Sequence, residues 1–224
     1  MPSPTTENYL KALLALGSDG ADEVSVTALA EALGVSKPTA TAMAKSLAAR
    51  GLVRRERYRP LSLTAAGRDA AARVVRKHRL TEMFLVQHMG FGWEEVHAIA
   101  EQVEHVDSPR FFARMDELMG FPTHDPHGSP IPTPEGELPA VAAHQPLTEV
   151  VPGRRVRLSA VAAEDETLLT LLTRKGIALG TDLEVLEREP FDGSLRVRIG
   201  AGREEVVTPS VGRCLLVADG GDGS

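Results

Sequence analysis

The stretch from His78 to His105 constrains this chain more than any other. It reads HRLTEMFLVQHMGFGWEEVHAIAEQVEH, two helical segments joined at Gly90 and Gly92. On the first, His78 and Glu82 are four residues apart. On the second, His97, Glu101 and His105 are spaced four and four, and Glu104 lies three beyond Glu101. Residues three and four apart are neighbours on a helix surface, so each segment carries one His/Glu stripe. If the two helices pack antiparallel, the stripes converge. Six N and O donors in a small volume suit a divalent first-row transition metal. Such a stripe can also be a solvated helix face. Here, however, Val96, Ile99, Ala100 and Val103 border it, and carboxylates near a core need a partner. The spacing is not that of an HExxH zinc protease.

A chain of 224 residues with 42% hydrophobic content can bury a real core in one to three domains. Its single cysteine, Cys214, excludes a disulfide framework and a thiolate-rich metal site, and it reads as a buried strand residue. No basic-then-apolar leader opens the chain and no apolar run reaches membrane-spanning length, so a cytoplasmic protein with no membrane partner is expected. The net charge of −6 is unevenly spread: residues 1–79 carry +6 and the remainder −12. A basic first third on an acidic protein implies that one domain meets a polyanion.

In chain order, residues 5–17 read as an amphipathic helix with Tyr9, Leu10, Leu13, Leu14 and Leu16 on its apolar side. A helix from Thr27 to Leu33 follows, with Thr27 as its cap, then the turn Gly34-Val35-Ser36. Ser36 caps a helix with Pro38 in its first turn that runs to Arg50. Helix, short Gly-containing turn, helix is the helix-turn-helix pattern. LVRRERYRPLSLT then alternates into two short strands around Arg57-Tyr58-Arg59-Pro60, a β-wing. Residues 36–59 hold seven basic residues and one acid. Ser36, Lys37, Pro38, Thr39 and Thr41 lie where a recognition helix approaches base edges. Lys37, Lys45, Arg57 and Arg59 are placed for phosphates.

A long helix begins at Thr64-Ala65-Ala66-Gly67 and delivers His78 and Glu82. Leu80, Met83, Phe84 and Leu85, with Trp93, Phe111, Phe112, Met115 and Leu118, supply apolar surface for a core or a subunit interface. The segment from Phe121 to Pro152 is proline-rich and reads as a linker. His124, Asp125 and His127 lie in it; an irregular His-rich loop can bind metal, but a solvated linker is the expectation. The last block reads as a five-stranded SH3-like barrel with a helix from Glu164 to Lys175 and a final strand from Arg213 to Val217. The expected fold is mainly α with small β. Its parts are a winged helix-turn-helix domain at 1–72, a helical metal-binding and dimerisation domain at 73–121, a linker at 122–152, an SH3-like domain at 153–219 and a disordered tail at 220–224.

The order of parts, with TTENYLKAL, VSKPTATAMAKSLAARGLV, VRKHRLTEMFL and WEEVHAIAEQVEHV, resembles the diphtheria-toxin-repressor family of metal-dependent transcriptional regulators, in its manganese-responsive branch. The resemblance covers essentially the whole chain. It implies a homodimer reading a palindromic double-stranded operator, and two metal positions per subunit. One, ancillary, would be His78, Glu82 and His97, with an acidic ligand from the SH3-like domain for which Asp165 is the nearest match, beside Glu164 and Glu166. The other, regulatory, would be Asn8, Glu101, Glu104 and His105. Iron-responsive members have Cys where this chain has Glu101, and Met where it has Asn8. Manganese-responsive members have Glu, and usually Asp in place of Asn8. Replacing a soft thiolate and thioether by Glu101 and an amide shifts the site toward harder ions, hence Mn2+, with Fe2+ as the alternative.

The leading expectation is therefore a manganese-dependent repressor of metal-uptake genes, with no small-molecule substrate and no catalysis. An iron-dependent repressor of the same family is the alternative. From another class, a dinuclear metallohydrolase could use such carboxylates and histidines, but it leaves the basic wing unexplained. A winged-helix regulator whose His/Glu cluster is structural would bind DNA without metal.

Overall fold

The computed structural model describes residues 3–17, 23–56, 59–139, 144–162, 165–200 and 202–219. Helix α1 (Pro4–Gly17) packs Tyr9, Leu10, Leu13 and Leu14 into the first core, as its periodicity requires. Helix α2 (Val26–Ala32) starts two residues earlier than a Thr27 cap implies. Its cap is Ser25, whose hydroxyl accepts from Ala28 N at 3.0 Å. Helix α3 (Lys37–Ala49) is capped by Ser36 and has Pro38 in its first turn. Strands β1 (Val53–Arg54) and β2 (Ser62–Leu63) pair antiparallel as the wing, and Val24 bridges to Leu61 beside them. Arg57 and Tyr58 lie outside the described residues.

Helix α4 (Ala65–Met89) runs without a break from the wing to the His/Glu cluster, capped by Thr64 and closed by Gly90. Gly67 makes this start possible: a Cβ there would lie 1.9 Å from the Leu52 carbonyl oxygen. The junction between winged helix and α4 is thus a backbone-to-backbone contact with no room for adjustment. Helices α5 (His97–Val103) and α6 (Pro109–Leu118) fold back against α4, and Leu80, Phe112, Met115, Met119 and Ile131 form a second core. Helix α5 ends two residues before His105, so Glu104 and His105 sit on a turn rather than a continuing helix.

The proline-rich segment is not a solvated linker where it is described. Asp125 and His127 are buried, and Ile131 enters the α4–α6 core. Arg79 Nη1 donates to Pro130 O and Arg76 Nη1 to Pro132 O, each at 2.6 Å. Two guanidiniums on α4 thus satisfy carbonyls that proline-rich backbone cannot pair in a ladder. Further on, β3 (Gln145–Pro146) and a 3-10 turn (Leu147–Glu149) already belong to the last domain.

That domain is a six-stranded antiparallel sheet, not five-stranded. β3 is followed by β4 (Arg155–Val161), β5 (Asp182–Arg188), β6 (Leu195–Ile199), β7 (Arg203–Val207) and β8 (Leu215–Asp219), in the spatial order β3-β8-β4-β5-β6-β7. Register shifts at Leu158/Ala160 and Val185/Glu187 bend it around a single SH3-like core. Helix α7 (Glu166–Arg174) carries Leu169 and Leu172 into that core. A short α8 (Pro209–Cys214) precedes β8, so Cys214 ends a helix and is half-buried instead of lying in a strand. The tail 220–224 lies outside the described residues. No described helix is long and apolar enough to cross a membrane.

Candidate metal centre

Three elements meet at the cluster. α4 presents His78 and Glu82, α5 and its following turn present His97, Glu101, Glu104 and His105, and α1 presents Glu7, Asn8 and Lys11. Glu82 and Glu104 are wholly buried, and His78 nearly so. His78 Nε2 is 2.9 Å from Glu82 Oε1 and its Nδ1 is 2.6 Å from Glu104 Oε2. Burial opposes protonation of His78, but hydrogen bonds to Glu104 and Glu82 outweigh it and raise its pKa to about 9. Burial likewise disfavours the Glu82 carboxylate, yet hydrogen bonds from His78 and His97 outweigh that and hold it at about 2. Glu104 is buried too, and His78 and Lys11 keep it below the usual carboxylate range.

The ancillary set expected from the resemblance comes together. His97 Nδ1 is 3.5 Å from Glu82 Oε1, and the His78 and His97 rings meet edge-on with centroids 5.0 Å apart. Glu101 joins it: His78, His97 and Glu101 each offer a ligand atom within 4.8 Å of the others. Asp165 does not join. It is exposed, and its Oδ1 accepts from Leu168 N at 2.8 Å as the cap of α7. Glu164 lies outside the described residues, and Glu166 is exposed in the first turn of α7.

Asp125 and His127 take the place beside Glu82 instead, from the segment read as linker. Glu82, Asp125 and His127 are all buried, with one ligand atom each within 4.8 Å of the others. Asp125 Oδ1 accepts from His127 N and Ser129 N at 2.8 and 2.9 Å. Its Oδ2 faces Arg79 Nε at 3.3 Å. His127 Nε2 donates to the Trp93 carbonyl at 2.9 Å, which fixes the tautomer and leaves Nδ1 a lone pair, 3.8 Å from Glu82 Oε2. Both of those atoms are buried without a hydrogen-bond partner. Burial and the Glu82 charge push the Asp125 carboxyl up to about 6. Arg79 answers Asp125 Oδ2 and His78 answers Glu82 Oε1, but Glu82 Oε2 and His127 Nδ1 are left facing each other unpaired, and a metal ion is a partner that would fit between them. The signal present in the sequence was the Asp-Pro-His spacing itself. His124, from the same run, is exposed and hydrogen-bonded to Thr123.

Of the regulatory set expected from the resemblance, Glu101, Glu104 and His105 come together and are held by protein groups. His105 Nδ1 is 2.6 Å from Glu7 Oε2, which turns its Nε2 toward Glu104 Oε1 at 3.8 Å. Glu7 is therefore a positioning residue that the stripe on α5 did not disclose. Asn8 Oδ1 is buried and has no hydrogen-bond partner. Lys11 Nζ reaches Glu101 Oε1 at 2.5 Å and both Glu104 oxygens at 2.8 and 2.9 Å. A cleft of about 420 Å3 opens onto Lys11, His78, His97 and Glu101 and supplies an entry path.

At the other end, Ser36, Lys37, Pro38, Thr39 and Lys45 are exposed on α3. Thr41 donates its hydroxyl to Lys37 O at 2.7 Å, which leaves the oxygen's lone pairs free to accept. Arg59 is exposed beside Glu56 at 3.6 Å. Arg50, at the end of α3, donates to Thr6 Oγ1 at 3.1 Å and so ties the recognition helix to α1.

A winged helix, a long helix leading to buried carboxylates and imidazoles, and an SH3-like module together define the class of metal-responsive DNA-binding regulators. The comparisons narrow this. Residues 1–61 match the iron dependent repressor N-terminal DNA binding domain, 64–133 its metal binding and dimerisation domain, and 145–219 the FeoA domain. The iron-dependent repressor IdeR of Mycobacterium leprae is 41% identical over 128 residues, 57% of this chain and 55% of that protein. The alignment thus spans about half the length of that relative. The diphtheria toxin repressor of Corynebacterium efficiens is 30% identical over 196 residues, 83% of this chain and 84% of that protein. A manganese-dependent transcriptional repressor in complex with manganese superposes with a TM-score of 0.87 at 36% identity, covering 96% of this chain and 99% of that one. The chain belongs to the iron-dependent repressor family, the family of the diphtheria toxin repressor, whose members are DNA-binding repressors and not enzymes.

Proposed function

We propose that this chain is a Mn2+-dependent repressor that binds a palindromic operator as a homodimer, with two ions per subunit. The observation that carries the reading is Asn8 Oδ1: an amide oxygen on α1, buried without a partner, on the helix whose Glu7 holds His105 and whose Lys11 reaches Glu101 and Glu104. A metal ion there would supply the charge that joins α1 to the turn after α5. Asn8, Glu101, Glu104 and His105 would hold one ion. The second position is served by Glu82, Asp125 and His127, with His78 and His97 beside it. All of these donors are N or O; the chain's one sulfhydryl, Cys214, belongs to the SH3-like domain. Such a set suits Mn2+ better than softer ions. The Mn2+-bound neighbour at 36% identity agrees with that choice.

Exposed Met89, Val106, Phe111, Leu118 and Phe121 lie at or near α6 and the end of α4, and this apolar face would seat the second subunit. Two winged helices then sit at one fixed spacing, as half-sites require.

The test is binding to the DNA upstream of the protein's own coding sequence, titrated with free Mn2+ and, anaerobically, with Fe2+. Half-activation at lower free Mn2+ than Fe2+ is expected. Asn8→Ala should still take up metal on the α5 side yet fail to tighten DNA binding. Full metal activation in Asn8→Ala would remove the α1 bridge from the reading, and metal-independent binding by the wild type would remove the metal switch.

A further inference from the structure

Lys11 stands where the regulatory ion would have to stand. Its ammonium contacts three carboxylate oxygens, one on Glu101 and two on Glu104. Glu104 is fully buried, so its charge is neutralised within the protein and not by water. Lys11 lies three residues from Asn8 on α1, one turn further along the same face. The lysine thus makes the same connection, α1 to the turn after α5, that a metal would make. An ammonium and a divalent cation cannot share these oxygens, because like charges a few ångströms apart in a poorly solvated pocket repel strongly.

We propose that Lys11 is a built-in competing cation, and that metal binding at the regulatory site is an exchange: the ion takes Glu101 and Glu104 and the Lys11 ammonium leaves for solvent. No proton need move, since the lysine leaves charged. The lysine is suited to leaving: its flexible four-carbon stem is already partly exposed, and the cleft at Lys11 opens outward. Two consequences follow. The apparent metal affinity is the intrinsic affinity multiplied by the small fraction of molecules in which Lys11 has left the carboxylates, which sets the free-metal threshold. The metal-free protein is already latched between α1 and α5, so the ion replaces one link by another of different geometry.

This inference rests on the metal-dependent reading, but its test uses no DNA. Lys11→Met keeps the stem and removes the charge. Its Mn2+ dissociation constant, measured against a competing chelator, should fall at least tenfold, while the metal-free thermal midpoint drops. Unchanged or weaker Mn2+ affinity would overturn the exchange. Should that variant not fold, the wild type answers alone. Pulse acylation with an amine reagent, read by mass spectrometry, should label Lys11 more, relative to Lys37, once Mn2+ saturates the protein. Equal labelling with and without Mn2+ sinks the proposal. If Mn2+ binds and Lys11 stays put, only the exchange fails. If Lys11 is released and DNA binding ignores Mn2+, only the repressor reading fails.

Discussion

His78 shows how far one residue's surroundings decide its state. Its pKa of about 9 stands above the ordinary 6.5, because the Glu104 and Glu82 hydrogen bonds outweigh burial. A raised imidazole pKa contributes stability that is complete below pH 6.5 and lost as pH rises through 9. Glu82 runs the other way. Its pKa of about 2 lies below 4.5, so its contribution is present above pH 4.5 and lost as pH falls through 2. In a chelator, the protein should therefore melt highest between about pH 5 and 7 and lose thermal stability toward pH 9.5. In His78→Asn the alkaline loss should be much smaller; an unaltered alkaline limb would assign it to other groups. The stripe itself was legible, since spacing alone named His78, Glu82, His97, Glu101, Glu104 and His105. Lys11 and Glu7 were not legible as members of the site. Their partners are 90 or more residues away, and a lysine or glutamate on an amphipathic helix reads as solvated until a second element is laid on it.

At the scale of elements, helices with a strong 3.6-residue pattern were readable to within a residue or two: α1, α3 and α4. The caps were less so. Ser25 outcompetes Thr27 because the chain turns helical two residues sooner, and nothing local distinguishes the two. The segment after α6 was misread for a physical reason. Proline and glycine remove periodicity, and what orders this stretch is non-local: Arg76, Arg79 and the fit of Gly128 on β4. Gly128 has φ +89°, and a Cβ there would lie 2.2 Å from the Ser159 carbonyl oxygen. Gly128→Ala should destabilise the protein by about 1–3 kcal/mol in urea denaturation, through overpacking and backbone strain. It should also weaken metal retention at Glu82, Asp125 and His127, since the turn that carries Asp125 and His127 is displaced. A stability change within about 0.5 kcal/mol would mean that the strap tolerates movement.

For the molecule as a whole, charge is partitioned by task. The winged helix presents exposed Lys37, Lys45 and Arg59, while the SH3-like domain spends its arginines on ladders such as Arg196–Glu187 and Arg198–Glu184. Only the first arrangement leaves positive charge available to phosphates. Lys37→Ala should lower the magnitude of the log–log salt slope of operator binding by about one, with Mn2+ uptake intact. An unchanged slope would take this residue out of the interface. The recognition helix and the metal cluster are joined by α4, by Arg50 to Thr6, and by α1 itself, so a displacement of α1 is felt at both ends.

Trp93 links the remaining parts. Its carbonyl receives His127, its ring lies against the His127 ring with centroids 6.0 Å apart, and its indole nitrogen donates to Thr173 on α7 at 2.8 Å. It is the only tryptophan in the chain. The molecule therefore carries one indole, excitable apart from its two tyrosines, between an imidazole that borders the Glu82 pocket and the SH3-like domain. A paramagnetic ion in that pocket should quench the emission of this single indole, and a swing of the domain away from it should shift its colour. Occupancy and domain docking can be followed separately in unlabelled protein.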